Sequence, residues 1–348
     1  MTEKTIQAAP LLADHAPFLI TSAARAPSVH NTQPWRFQVG RSGVELYCDP
    51  RRKLRADPLG REMIISCGAA LFGLRLAVRG LGYLPVVELM PDPRRPRLLA
   101  RVGMGAAAPV TRAEGRMLEA VPHRHTHRGP FEPGSLPGGL LAGLQHDALA
   151  ERAELALIEG ELAYQRLATI VAVAASRMDL DPRVRAETRQ WTRSADSRAR
   201  DGVPAMAFSH RGQLRPRRRL PQRDFDLDRG LALLPGGGES PSATAVLLTR
   251  GDRRADWLHA GQALHRLLLH AATRWVFASL NTQPLESPRF RAQIRARLRL
   301  TGAPQMLLKL GRANTTPAAP RRPARELMTA GQELAASAAI VPAPPGQD

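Results

Sequence analysis

Ala26-Pro27-Ser28-Val29-His30-Asn31-Thr32-Gln33-Pro34-Trp35-Arg36-Phe37 is the stretch that decides the fold. It reads as a helix end, a tight polar loop pinned by two prolines, and entry into a strand, because proline fixes its own φ and steers the residue before it away from the helical region. Ser28, His30, Asn31 and Gln33 place donors and acceptors on that rigid loop. Such a loop suits a heteroaromatic ring with edge carbonyls and nitrogens. It equally suits a helix-to-strand connection whose polar side chains satisfy the local backbone.

Working outward, Leu12, Ala16, Leu19, Ala23 and Ala26 follow the four-and-three step of one helical face, with Asp14 as a plausible N-cap and Pro17 in the first turn. After the loop, 35–39 and 44–48 read as strands joined by Gly40-Arg41-Ser42-Gly43. A helix over 61–79 is apolar nearly all round, the pattern of a buried central helix. Strands follow at 86–90 and 98–102. The second half repeats the style, with helices over 136–147, 160–177 and 253–274 and strands over 153–158, 243–249 and 305–310. Between them, 192–227 is rich in Arg and poor in apolar periodicity, the profile of a lid or of a disordered excursion. The tail, 329–348, fades into Ala and Pro and is expected to fray. Asn31-Thr32-Gln33-Pro34 returns as Asn281-Thr282-Gln283-Pro284, a faint echo in keeping with two related halves.

The bulk chemistry narrows the partners. A net charge of +19 attracts phosphates, whether on a nucleotide, a nucleic acid or a membrane. The densest basic cluster, 215–219, contains no aromatic residue, so a nucleic-acid partner is not expected. Neither a signal peptide nor a spanning run stands out, and Cys48 and Cys67 form no C-x-x-C pair, so a cytoplasmic chain with no membrane partner is expected.

Pro122-His123-Arg124-His125-Thr126-His127-Arg128 holds two fixed cations, three imidazoles and a hydroxyl. As a phosphate clamp, its arginines give charge-assisted bonds and Thr126 a hydroxyl. As a metal site, alternating histidines would share a strand face, but no Cys or carboxylate lies beside them and the arginines oppose a cation, so no metal is expected. A solvated basic run is the third reading. Arg321 and Arg322, held between Pro320 and Pro323, can present guanidinium groups to an anion. Gly103-x-Gly105-x-x-Ala108 is set aside as a dinucleotide loop because Pro109 displaces the helix N-terminus that a phosphate needs.

Together these segments resemble the nitroreductase superfamily. The stretch from Leu19 to Phe37 is similar to that family's helix and "A-P-S-x-x-N-x-Q-P-W" loop, which lies against FMN at a dimer interface. Arg124-His125-Thr126-His127-Arg128-Gly129-Pro130-Phe131 resembles the family's opening "R-R-S-x-R-x-F", with His125 and Thr126 in place of the commoner Arg and Ser. The resemblance implies that Arg124, His125 and Thr126 meet the FMN phosphate or pyrimidine edge, that Arg128 lies near N1 and the C2 carbonyl, and that Arg321 and Arg322 bind phosphate. It also implies that Ser28, His30, Asn31 and Gln33 face the flavin. Residues 305–311 resemble the family's last core strand.

The opening motif follows the loop instead of preceding it, and that order resembles the Acg-like branch, where one chain carries two nitroreductase-like halves. The implied fold is α+β, a mixed and mostly antiparallel sheet flanked by helices, as an internally duplicated pseudo-dimer. A truncated half over 11–121 donates the flavin-facing loop; a second half over 122–328 donates the phosphate clamp, and its insertion at 192–227 resembles the lid of Acg-like proteins. The implied function is an FMN-binding NAD(P)H oxidoreductase that reduces a small nitroaromatic or quinone acceptor by a ping-pong route, with flavin N5 and no side chain carrying the chemistry. The alternative is a non-catalytic protein that stores FMN under the lid. Either a monomeric pseudo-dimer or a homodimer is compatible.

Overall fold

The apolar helix at 61–80 sets the architecture. In the computed structural model, residues 9–40, 43–208, 220, 223–233, 242–314 and 319–329 are described. The chain runs α1 (Ala9–Ala24), β1 (Trp35–Gly40), β2 (Gly43–Cys48), α2 (Arg61–Gly80), β3 (Tyr83–Leu89), β4 (Leu98–Ala107) and α3 (Arg112–Ala120). It continues with α4 (Leu140–Ala150), β5 (Ala153–Leu157), α5 (Glu161–Asp179), α6 (Pro182–Gln190), β6 (Thr192–Arg193) and β7 (Val203–Pro204). The last elements are β8 (Ala243–Thr249), α7 (Arg254–Ala272), β9 (Val276–Leu280), α8 (Gln283–Glu286), α9 (Pro288–Arg297), β10 (Ala303–Arg312) and α10 (Ala324–Leu327).

The fold is α+β as expected, with helices flanking two four-stranded antiparallel sheets. Their orders are β1-β2-β4-β3 and β5-β8-β10-β9. The connectivity matches strand for strand: helix, strand, strand, long helix, strand, strand. Alpha-2 follows the second strand of one sheet and α7 the second strand of the other. The second half differs in two connections: β5 reaches β8 only after α5, α6 and the parallel β6–β7 ribbon, and β9 reaches β10 only after α8 and α9, where β3 runs on to β4 with no helix between.

The two long helices pack on each other at the centre of one core that draws on both sheets. Their contact is close because glycines face it. A Cβ on Gly68 would lie 2.3 Å from Leu258 O, and one on Gly261 would lie 2.0 Å from Ile65 O. Alpha-2 is long and apolar enough to cross a membrane by composition alone, but 89% of that window is buried against protein.

Several expectations move. Alpha-1 begins at Ala9, with Pro10 in its first turn and Pro17 inside it, so Asp14 is not its cap. The run containing Gly103 and Gly105 is the body of β4, not a phosphate loop. Residues 192–208 are ordered, although the basic cluster at 215–219 lies outside the described residues, as does most of 329–348. The C-terminal segment crosses back to the first sheet, with Met328 bridging Phe37 and Thr329 N donating to Phe37 O at 2.9 Å.

Candidate functional site

The loop 28–33 is held in a strained form. His30, Asn31 and Gln33 all have positive φ, at 47°, 55° and 49°. Left-handed conformations cost a non-glycine residue about 1 kcal/mol or more each, and such strain gathers at functional sites. The surroundings impose it: Ser28 Oγ accepts from Gln33 N at 3.0 Å, Ser66 Oγ from Val29 N at 3.2 Å, and Arg52 donates to Thr32 O at 2.8 Å.

Two adjoining cavities meet beneath this loop, sharing Pro27, Ser28, Thr126 and Arg128. Counting their open mouths, they hold about 750 Å³ and 690 Å³. Both fall in the size range of small-molecule sites. The segment 124–128 reaches them because it runs beside β9, where Thr126 bridges Ala278 and His127 N donates to Ala278 O at 2.9 Å.

The second cavity is cationic. Arg25, Arg124, Arg128 and Arg321 line it, and no carboxylate stands among the described lining residues. Arg124 is buried and donates to Arg25 O, while its Nε has no partner. Desolvation, then the charges of Arg25 and Arg128, pull its pKa down to about 10. Arg321 donates to Ala319 O and Pro320 O, each at 3.1 Å, and its Nε is also unpartnered. Burial and the neighbouring cations hold its pKa well below the arginine value. Arg128 is half-buried where it opens onto the cavity. Its guanidinium lies 5.4 Å from the Phe225 ring, and burial lowers its pKa to about 10. Arg124 is a buried charge with no carboxylate partner among the described residues, a costly arrangement that a bound anion would relieve.

Burial pushes the imidazoles of His125, His127 and His30 toward their neutral forms. His125 lies on Phe277 with ring centroids 4.2 Å apart, and desolvation lowers its pKa to about 4. His127 Nε2 donates to Pro130 O at 2.8 Å, and the ring stacks on Phe131. His30 lies edge-on to Phe225, and burial, then Arg223 and Arg128, push its pKa well below the usual value. Among the described residues no His, Cys, Asp and Glu group could hold a metal.

Not every expected residue faces the space. Gln33 is fully buried and lines neither cavity: its amide donates to Arg200 O at 2.7 Å and its carbonyl accepts from Arg322 N at 2.8 Å. Asn31 lines the second cavity but donates to Gly202 O at 2.9 Å and Pro320 O at 3.1 Å. Both act as struts that fasten the insertion and the C-terminal segment to the loop. Gln33→Ala is therefore expected to lower stability by about 1–3 kcal/mol, the cost of stranding buried backbone groups; an unchanged urea midpoint would show these bonds to be dispensable. Arg322 points to Glu326, with Nε 3.6 Å from its carboxylate and Nη2 donating to its carbonyl at 2.9 Å, and is absent from the described lining.

The first cavity also holds residues outside the loop and basic motifs, two of them, Thr282 and Gln283, from the 281–284 echo. Glu62 and Ser66 come from α2, Leu264 from α7, Thr282 and Gln283 from the turn after β9, and Arg223 and Phe225 from the insertion. Arg25, in the second cavity, also escapes the motif reading, although it directly precedes the loop motif.

No family profile matches the chain. A Mycobacterium tuberculosis protein named provisionally as an NAD(P)H nitroreductase is 34% identical over 325 residues, covering 91% of each chain. The M. tuberculosis protein acg, named in the same way, is 29% identical over 310 residues, 88% of this chain and 92% of its own. A crystal structure of a nitroreductase with bound FMN from Desulfitobacterium hafniense aligns with 98% of its chain and 62% of this one, at 13% identity and a TM-score of 0.39.

Proposed function

The chain belongs to the nitroreductase family, in its Acg-like branch, and on that premise we propose that it is an FMN-dependent NAD(P)H oxidoreductase. The observation that carries the proposal is the pair of joined cavities, one lined by four arginines without a carboxylate and the other by a mixed polar and apolar wall.

A phosphate dianion fits the first of these environments. Arg124 and Arg321 would hold it, with Arg25 at the rim, and the unpartnered Nε atoms of Arg124 and Arg321 supply free donors. Ser28, Thr126 and Arg128 stand where the cavities join, so they would meet the chain and ring edge of the flavin, and Arg128 would stabilise negative charge there. FMN, when bound, supplies two-electron hydride exchange between NAD(P)H and a small acceptor such as a nitroaromatic or quinone. The protein's part is to bind, orient and exclude water. The same reading treats 11–121 and 122–328 as two related halves, as their shared sheet order suggests.

A second reading, FMN storage, has its own support. Gly202, Val203, Pro204 and Ala207 close one cavity, and Arg223 and Phe225 the other. The covering segment is fastened by Asp201, whose carboxylate takes Arg52 at 3.0 Å and Arg193 at 2.7 Å. A flavin under such cover meets NAD(P)H only if the cover moves.

An absorbance spectrum of the purified protein, followed by anaerobic NADPH, separates the two. A flavin spectrum that bleaches within seconds is the expected result. A flavin spectrum that persists selects storage, and no flavin after adding FMN overturns both.

A further inference from the structure

Glu62 stands in the wall of the first cavity, 3% exposed, one helical turn from Ser66 on the same face of α2. Its Oε1 accepts from Arg61 at 3.1 Å, and its Oε2 has no partner among the described residues. Arg61 is shared, donating also to Gln305 O at 2.8 Å and Leu285 O at 3.2 Å, so it offsets only part of the carboxylate's burial.

The charged neighbours come from every side. Asp57 precedes α2, and its carboxylate accepts from Met63 N at 2.9 Å. Glu286 of α8 has a 3% exposed side chain, is paired with Arg223 of the insertion, and carries its own unpartnered Oε2. Glu187 of α6 bears on Glu286 in turn. His30, on the loop, is neutral. Alpha-7 presents only Leu264. Four carboxyls, those of Glu62, Asp57, Glu286 and Glu187, crowd Arg61 and Arg223, with Arg291 of α9 as a third cation bearing on Glu62 and Asp57, and they cannot all ionise at ordinary cost. Desolvation, then Glu286, raises the Glu62 pKa to about 8 against the pull of Arg61 and Arg223.

We propose that Glu62 is the proton donor of this cavity, passing the proton on its carboxyl to the acceptor as the acceptor takes up hydride, a role that rests on the oxidoreductase reading. For a quinone, one hydrogen and both electrons arrive as hydride from the bound cofactor, itself reduced by NAD(P)H. The second hydrogen is the Glu62 proton: the Glu62 O–H bond breaks as an O–H bond forms at the other quinone oxygen. The products are the hydroquinone and a carboxylate held by Arg61, which water reprotonates.

The test uses the full chain. In the FMN-loaded protein, quinone reduction is expected to fall about tenfold per unit as pH rises past about 8. Glu62→Gln is expected to be slower by on the order of 100-fold and to lose that pH dependence. Independently of turnover, the cofactor-free chain should show protonated-carboxyl infrared absorption that titrates in the same range, and Glu62→Gln should remove the share belonging to Glu62 while leaving that of Glu286, whose pKa burial raises to about 7. If Glu62→Gln does not fold, Glu286→Gln should shift both the Glu62 band and the rate profile to lower pH. A wild-type rate and profile in Glu62→Gln, or a band that moves in Glu286→Gln while the rate profile stays, overturns the proposal. Absence of bound FMN instead overturns the oxidoreductase reading, and the infrared titration then decides by itself whether Glu62 holds a proton.

Discussion

Arg124→Met is expected to weaken FMN binding by about 1.5–3 kcal/mol, roughly 10- to 150-fold, and to raise the stability of the FMN-free protein. The first effect follows from the loss of a charged donor beside a phosphate dianion. The second follows from the site's imbalance. Arg124 is buried beside Arg25 and Arg128, has no carboxylate partner among the described residues, and keeps one nitrogen unsatisfied. Its folded-state pKa is lowered to about 10, so below that pH it is charged both folded and unfolded and the folded state carries the full penalty. The penalty eases only as pH rises through about 10, outside the working range. Met keeps much of the stem's packing and removes the charge, and the lost bond to Arg25 O subtracts from the gain. The net rise should be about 1–3 kcal/mol. Thermal unfolding without FMN and fluorescence titration with FMN measure the two effects. Unchanged affinity would remove Arg124 from the clamp. A lower melting temperature without FMN would mean that the protein already compensates this charge. Stability given up at a binding site and recovered with the ligand is the general signature of a functional constellation.

The sequence carries this site unevenly. Arg124 and Arg128 are legible because a dense cationic segment has few structural uses, and Arg321 because flanking prolines restrict it. The long helices are legible from their 3.6-residue period, which places both at nearly the observed bounds. Gln33 and Asn31 are donors and acceptors on a rigid loop, as their residue types imply. Whether they serve a ring or backbone depends on Arg200, Gly202, Pro320 and Arg322, residues more than a hundred positions away. The Gln33 side chain bonds to backbone, chiefly the distant Arg200 and Arg322 and also the local Asn31 O at 3.4 Å. Glu62 looks like an ordinary acid in the first turn of a helix, where it complements the dipole. Its burial comes from α8 and the insertion, which no local pattern encodes. The short helices α3 and α6 escape because each has only nine residues, too few turns for a period to stand out, although the Thr111–Glu114 capping box marks the start of α3.

Gly261→Ala is expected to destabilise the protein by about 3 kcal/mol or more, the upper end for a core insertion. The added methyl would meet backbone, with Ile65 O at 2.0 Å and Ala69 N at 2.7 Å, and backbone atoms inside a helix cannot swing aside as a side-chain tip can. Gly115→Ala provides the contrast within the same chain. It lies inside α3, a Cβ there meets nothing within 4 Å, and relief of backbone entropy should stabilise by about 0.5–1 kcal/mol. Urea unfolding of both variants checks the pair, and a Gly261→Ala midpoint equal to wild type would show that the two long helices can slide apart freely. The consequence reaches the cavity. Glu62, Ile65 and Ser66 of α2 face it from one side and Leu264 of α7 from another, so the distance between these helices sets how near Glu62 stands to whatever enters. Any Gly261→Ala protein that folds must separate the helices by fractions of an ångström or more, and it should therefore lose quinone reduction more than FMN affinity. The arginines that line the cationic cavity come from the residue after α1, 124–128 and the C-terminal segment, all outside the two long helices.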